Sequence, residues 1–550
     1  MLLSSRANPP KALGDFPSRG NVNALQLLVN SPLPSPALPA LIPRHGKKLP
    51  RFHRRSVLKL LIRLFLITSA CYLVLYTLDL HVASSFRNIP YLTPNGKAYE
   101  IVADIELPGY PTPFSFLDQN GRSRWTVYIP QHLRFPLHSA DYADICSHSE
   151  EVSRHAGDQG AKHQHLYQPD ARYMDVDEAQ AAGLLPSQIH IAEPNEDQSL
   201  PVCEKSLTFV LDGTDAGLGS TLLGLWLSYG LAQQENRAFF LDDSQFSYGR
   251  YATYFKMPPK PSCRAPLKTQ RVPCPYQAKH LIVSAATYRW TFGSGFGSSH
   301  TQRNIFDMAR QGYEALFELR SDDNTYVHQR IADLRSPSPT LLVGIHLRRG
   351  DRHPFEFAYS QGYLPPYLYR EAAQVFTATS SRSKIVIASD DPDIYQHNDL
   401  PGHVRAQERI TLASKKTSST GSLGWEGGFF KDQFWGLGLP AEAHEQRRIG
   451  SPLPTRKKPE LRDSKGSPST AQPLRDYRTQ PTEEARQLRE FIGRAYLLEL
   501  SVLSHTDRVV CAVSAYACRI LAVMMGWERA MELGYWQNID SKYDWRALDV

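Results

Sequence analysis

Two series of short apolar runs, each alternating with helical patterns, constrain this chain more than any other feature. LTFVLD from Leu207 reads as a buried strand and GTDAGLGS as a glycine-bearing turn. TLLGLWLSYGLAQQ then reads as a helix and RAFFLDD as the next strand, which completes one βαβ unit. HLIVSA at 280–285 adds a strand, and helical patterns fill 301–335. The second series opens with LLVGIHL at 341–347, a helix near 366–376 and the strand KIVIAS at 384–389. It resumes with a helix at 484–503, the strand RVVCAV at 508–513 and a helix at 515–526. Unbroken apolar strands between helices specify parallel sheets covered on both faces. The expected class is α/β, with two Rossmann-like domains at 201–338 and 339–527 facing a cleft. A stretch at 440–482, rich in Pro, Ser, Lys and Arg, reads as a disordered insertion in the second domain, and 528–550 as a C-terminal tail.

Charge is unevenly spread along the chain. Residues 1–63 hold eleven Lys or Arg against one acid, Asp15, which leaves 51 basic and 54 acidic residues for the rest. A near-neutral body lacks the basic face that phosphate neutralisation requires, so nucleic acid is excluded as a partner. The basic stretch ends at an uncharged run, LFLITSACYLVLYTL at 64–78, and apolar residues reach back to Val57 past Lys59 and Arg63. Snorkelling of those two side chains extends the span to roughly 22 residues, enough for a bilayer core of about 30 Å. A cleaved signal peptide would lie at the extreme N-terminus, and here some fifty residues precede the run. The reading is a cytosolic, largely disordered tail at 1–55 and a signal-anchor at 56–80. By the positive-inside rule, everything beyond is translocated.

Residues 81–200 read as a luminal stem and lead-in module. The alternating stretches YEIVADIEL and RWTVYI, the latter just after Asn120-Gly121, predict a hairpin. Residues 138–200 are polar and carry His138, His148, His155, His163, His165 and His190. Their spacing matches no metal-ligand pattern, so the stretch reads as a solvated linker. Six cysteines follow the span (Cys146, Cys203, Cys263, Cys274, Cys511 and Cys518), an even number that allows three disulfides in fifteen pairings.

Chemistry concentrates in Gly344 to Arg352, GIHLRRGDR. A buried strand delivers His346, Arg348, Arg349, Asp351 and Arg352 at its C-terminal end, where open α/β sheets bind ligands. One arginine can reach a diphosphate with its bidentate fork while a carboxylate such as Asp351 or Glu356 fixes the other. A structural ion-pair cluster would use the same residue types.

The pattern G-x-H-x-R-R-x-D opening a C-terminal Rossmann domain resembles the nucleotide-sugar motif of α1,6-fucosyltransferases, the family 23 glycosyltransferases of N-glycan core and nodulation fucosylation. A-S-D-D-P at 388–392 resembles the second motif of that family. LSHTDRVVCAVSAYACR at 503–519 is similar to the third, including two Cys seven apart. Gly217-x-Gly219 and the Tyr248–Tyr254 stretch look like the family's first domain. The resemblance spans about residues 203–527 and implies a GT-B-like fold, two Rossmann-like domains behind a transmembrane helix and stem.

Carried over residue by residue, the resemblance implies that Arg348 contacts the donor β-phosphate, Arg349 supports that geometry, Asp351 orients the pair and Glu356 is the catalytic base. Asp390 and Asp391 fall where the family holds the guanine and ribose end, and Ser514 and Tyr516 where it contacts phosphates. Tyr367, His346, Arg352, Glu499, Gly217 and Gly219 complete the implied donor-binding set. The implied reaction is an inverting, metal-independent transfer of fucose from GDP-fucose to a glycan, with no cofactor. A base on the acceptor hydroxyl and cationic charge on the departing diphosphate would supply that chemistry. The implied setting is the Golgi membrane, single-pass type II with a luminal catalytic domain, a homodimer being left open.

The resemblance also implies the pairings Cys511–Cys518 and Cys203–Cys263, leaving Cys146 for Cys274. Some positions depart from the family: Arg352 replaces a lysine, Glu499 an aspartate and Tyr516 a glutamine. Two other readings keep the fold, a non-catalytic luminal nucleotide-sugar or glycan-binding protein and a protein O-fucosyltransferase.

Overall fold

A computed structural model describes residues 107–118, 121–156, 166–167, 169–186, 199–212, 217–349, 363–411, 482–540 and 544–549. The anticipated tail, the membrane span at 56–80, most of the stem before 107 and the insertion at 440–481 lie outside the described residues. Among the described residues, no helix is long and apolar enough to cross a membrane.

The first ordered piece is a hairpin, β1 (Thr112–Leu117) and β2 (Ser123–Tyr128), antiparallel with Leu117 opposite Ser123. Asp118 builds its turn. Its carbonyl accepts from Gly121 N–H at 2.8 Å and its side chain from Arg122 N–H at 2.9 Å, and Gly121 takes the left-handed φ of 71°. RWTVYI is a hairpin strand as anticipated and pairs with TPFSFL, while YEIVADIEL apart from Leu107 lies outside the described residues.

The polar stretch after 138 is also corrected. Residues Ser139–Ala156 form a helix, α1, that buries Tyr142, Ile145, Cys146, Ser149 and Ser153. Their spacing is one helical face, which lies against the fully buried Trp125 and Val127 of β2. Asp170 sits beneath. It accepts from Trp125 Nε1 at 2.9 Å, Ser153 Oγ at 2.9 Å and Arg172 Nε at 3.0 Å. Burial works to raise that carboxyl, but the donors outweigh burial and hold it below its ordinary range.

Three parallel strands form the first sheet, ordered β4 (Ala238–Asp242), β3 (Ser206–Val210), β5 (His280–Val283). Helix α2 (Leu218–Gln234) is the crossover from β3 to β4 and is apolar almost all round. It is sandwiched between the sheet and α3 (Gln302–Leu316). A Cβ on Gly230 would lie 2.3 Å from the Met308 carbonyl oxygen, and one on Gly312 2.1 Å from that of Trp226. The two glycines are what allow these helix backbones to touch. Helix α4 (Ser321–Arg335) then leads to the second half.

Five parallel strands form the second sheet. Its strands are β6 (Leu341–Leu347), β7 (Ser383–Ser389), β8 (His403–Arg405), β9 (Arg508–Cys511) and β10 (Trp536–Asn538), in the spatial order β10-β9-β6-β7-β8. Its helices are α5 (Pro366–Thr377), α6 (Glu483–Ser504) and α7 (Tyr516–Met525). β6 is central and buried on both faces. Val343, Ile345 and Leu347 pack with Tyr369 and Ala373 of α5. On the opposite face, the Gly344 position meets Leu503 of α6 and Thr506. Thr482 caps α6, its Oγ1 accepting from Ala485 N–H at 3.1 Å.

The sheet runs past the anticipated boundary at 527, since β10 pairs with β9. Trp545 is 1% exposed and donates from Nε1 to the Arg519 carbonyl at 3.0 Å. Three disulfides are formed, Cys146–Cys274, Cys203–Cys263 and Cys511–Cys518. The first ties α1 to the segment before β5.

Candidate active site

Register places the site. His346 pairs with Ala388 on one side and Cys511 on the other, and Leu347 pairs with Ser389. The residues that follow each strand, Arg348–Arg349, Asp390–Asp391 and Ala512–Ser514, therefore emerge side by side at one sheet edge. This is the C-terminal edge, where open α/β sheets bind their ligands.

At that edge, Arg349 meets both acids. Its backbone N–H donates to Asp390 Oδ1 at 2.7 Å, and its Nε lies 3.9 Å from Asp391 Oδ2. The guanidinium also stands 5.2 Å from the centroid of the Tyr363 ring. Asp391 in turn caps the short 3-10 turn Pro392–Gln396 by accepting from Asp393 N–H at 3.0 Å, and its own N–H donates to Ser389 Oγ at 3.1 Å. Asp390 thus holds the Arg349 backbone, and Asp391 stands at the limit of ion-pair range from its guanidinium.

His346 is 2% exposed, and burial together with the Arg348 charge pulls its ring down to about 3. It is a neutral imidazole at physiological pH. Neither ring nitrogen has a hydrogen-bond partner among the described residues, and the same holds for Ser514 Oγ. Open buried atoms also occur in the core, at Thr208 and Ser228, so here it is their place beside the strand-end arginines that makes them available to a polar ligand.

Glu499 of α6 is 5% exposed. Burial, reinforced by the Asp390 charge, pushes its carboxyl up to about 8 against the opposing pull of Gln407 and Arg405. Gln407 is itself locked, its Nε2 donating to the Ile410 carbonyl at 2.7 Å and its Oε1 accepting from Ile410 N–H at 2.9 Å. Helix α4 holds that segment. Arg330 Nη2 donates to the Arg405 carbonyl at 2.7 Å, and Arg409 Nη1 donates to Asp323 Oδ1 at 3.0 Å. Asp323 is also gripped by Arg494 of α6, at 2.7 and 2.8 Å.

Gly217 precedes α2, its carbonyl accepting from Thr221 N–H at 3.0 Å. Gly219 has a packing role that its spacing did not announce. A Cβ there would lie 2.6 Å from Tyr496 Oη and 2.9 Å from Tyr516 Cβ, so the glycine lets α2 meet α6 and α7. Tyr516 stands at the start of α7. Its hydroxyl accepts from Asp549 N–H at 3.2 Å, and the Arg519 guanidinium lies 4.5 Å from its ring centroid. Tyr367 is 41% exposed on the first turn of α5 rather than in the buried cluster. Asp351, Arg352 and Glu356 lie outside the described residues. Among the described residues no group of three or more His, Cys, Asp or Glu is arranged to hold a metal ion.

No protein-family model matches the chain, and no curated protein matches it. Solved structures to which it is similar include NodZ α-1,6-fucosyltransferase soaked with GDP-fucose, at 10% identity and a TM-score of 0.30, over 58% of this chain and 92% of that one. Another is fucosyltransferase NodZ from Bradyrhizobium, at 9% identity and a TM-score of 0.30, over 58% of this chain and 92% of that one. These are distant likenesses, too loose to fix this chain's fold by superposition.

Sequence reasoning missed Tyr496, Gln407 and Tyr363. Tyr496 had a signal, since it lies three residues before Glu499 on the same face of α6. Gln407 had none. It reaches Glu499 from 92 residues earlier, and only the tertiary fold brings the two together.

Proposed function

We propose that this chain is a glycosyltransferase that moves fucose from GDP-fucose to a glycan acceptor with inversion, in the manner of the α1,6-fucosyltransferases. The observation that carries the reading is the adjacent Arg348 and Arg349 at the end of the central strand, with the Arg349 backbone held by Asp390 and its guanidinium 3.9 Å from Asp391. A fixed arginine beside a second one is the arrangement that receives a diphosphate without a metal.

In the proposed reaction, the Glu356 carboxylate takes the proton of the acceptor hydroxyl as that oxygen attacks the anomeric carbon. The bond from that carbon to the GDP oxygen breaks, and Arg348 neutralises the charge on the departing diphosphate. His346 and Ser514 offer neutral hydrogen-bonding atoms at the same edge. Asp390, Asp391 and Glu499 face the nucleoside end, and Glu499, being protonated near neutral pH, presents a hydroxyl donor as well as an acceptor. The proposed setting is a single-pass type II membrane protein of the Golgi with this domain in the lumen, which agrees with three formed disulfides.

A non-catalytic nucleotide-sugar-binding role has one residue in its favour, Arg352 in place of the family's lysine beside Glu356. The test is GDP release from GDP-fucose by the full chain in detergent, with and without N-glycans, chito-oligosaccharides and EDTA. Acceptor-dependent release that survives EDTA is expected. GDP binding without release would select the non-catalytic role.

A further inference from the structure

The loop between β9 and α7 carries Ser514, and its backbone is held by residues from the end of the chain. Val513 N–H donates to the Asn538 side-chain oxygen at 2.9 Å, while the Val513 carbonyl accepts from Arg519 Nε at 2.7 Å. The Arg519 side chain is 0% exposed. Beyond Val513 it reaches two C-terminal partners, the Ala547 carbonyl at 2.8 Å through Nη1 and Asp549 Oδ2 at 2.7 Å through Nη2. Asp549 closes the circuit, its N–H donating to the Tyr516 hydroxyl at 3.2 Å. Trp545 adds the bond from its Nε1 to the Arg519 carbonyl, and Asn538 is steadied by Asp540 N–H at 2.9 Å.

We propose that the described C-terminal residues 536–540 and 544–549 are the positioning element of the nucleotide-sugar loop 512–516, fastened by the ion pair of the buried Arg519 with the part-exposed Asp549. The inference deepens the donor reading above and rests on it. The physical argument concerns an uncompensated charge. A fully buried guanidinium keeps its place while its donors are satisfied, and removing the part-exposed Asp549 carboxylate takes away the charge that its Nη2 donates to. Relaxation then passes directly to the Val513 carbonyl, one residue from Ser514, and to Tyr516 through its hydroxyl. Arg519 and Asp549 are therefore positioning residues. They act through the loop and not on the reacting atoms.

The experiment is calorimetric titration of GDP into the full chain in detergent, with circular dichroism confirming that each variant is folded at the working temperature. Asp549→Ala is expected to weaken GDP binding about tenfold, with the kinetic loss falling on KM for GDP-fucose more than on kcat. Asp549→Glu, which returns the carboxylate, is expected to recover affinity to within about twofold. A merely structural role would lower the melting temperature and leave both constants where they were, and that result overturns the inference. Should Asp549→Ala fail to fold, Asn538→Ala releases the other side of the Val513 peptide and is expected to shift GDP affinity in the same direction. Unchanged affinity in that folded variant overturns the inference equally. Failure of the unsubstituted chain to bind GDP would overturn the donor reading beneath it, an outcome distinct from either.

Discussion

The two parallel sheets end differently, and the difference separates scaffold from chemistry. At the C-terminal edge of the first sheet, the connection after β3 leads to glycines, and Gly219 serves the close approach of α2 to Tyr496 and Tyr516. At the same edge of the second sheet, three neighbouring strands deliver Arg348, Arg349, Asp390, Asp391 and Ser514. Both sheets follow one construction rule; among the described residues the first edge carries the buried Asp212 and Ser284, whereas the second adds two strand-end arginines to its buried acids.

Removing the cation at the second edge should have the largest effect. Arg348→Ala is expected to lower turnover of GDP-fucose by about a hundred- to a thousandfold, the loss typical of deleting one preorganised donor to developing charge. Steady-state assay with GDP-fucose checks it. A variant that keeps more than about a tenth of wild-type turnover would move the chemistry away from this edge and undo the contrast.

Next comes the contact between the halves. Gly219→Ala inserts a methyl between two rigid neighbours and is expected to cost about 1–3 kcal/mol. Gly297, which has nothing within 4 Å of an added Cβ, provides the control on the first half. Gly297→Ala should be neutral or stabilising by about 0.4–1 kcal/mol through the unfolded chain. Denaturant midpoints would show a loss for Gly219→Ala and none for Gly297→Ala. Equal shifts would mean that Gly219 is not a contact at all.

The central strands of the second half were legible in sequence, for a physical reason. A central parallel strand buried on both faces must be apolar without interruption, so β6 and β7 could be read almost to the residue. Helix α1 hid because two of its five most inward positions are Ser149 and Ser153, which count as polar although they are buried. The β1 strand hid behind Pro113, and β10 is three residues long, too short for any pattern. At the site, the strand-end arginines and the acidic pair were visible because strand order fixes what a sheet edge presents. Their environment was not visible. The raised pKa of Glu499 comes from burial and the Asp390 charge acting against Gln407 and Arg405, groups that the sheet and α4 bring together from distant parts of the chain.

That environment supplies the sharpest test of how dry the second edge is. Glu499 in the folded chain holds its proton up to about 8, well above the ordinary glutamate value of 4.5. Below pH 4.5 the folded and unfolded chains are both protonated at this site. As pH rises from 4.5 toward 8 the unfolded chain has released its proton while the folded chain retains it, so folding loses stability across that window. Glu499→Gln keeps a neutral hydrogen-bonding group and removes the titration. Relative to that variant, the wild type should lose about 2 kcal/mol between pH 6 and pH 8, and the gap should level off above the folded value. Thermal unfolding of both proteins at a series of pH values reads the difference directly. A gap that stays flat from pH 5 to pH 8 would mean an ionised, hydrated Glu499, and the second edge would then differ from the first in charge alone.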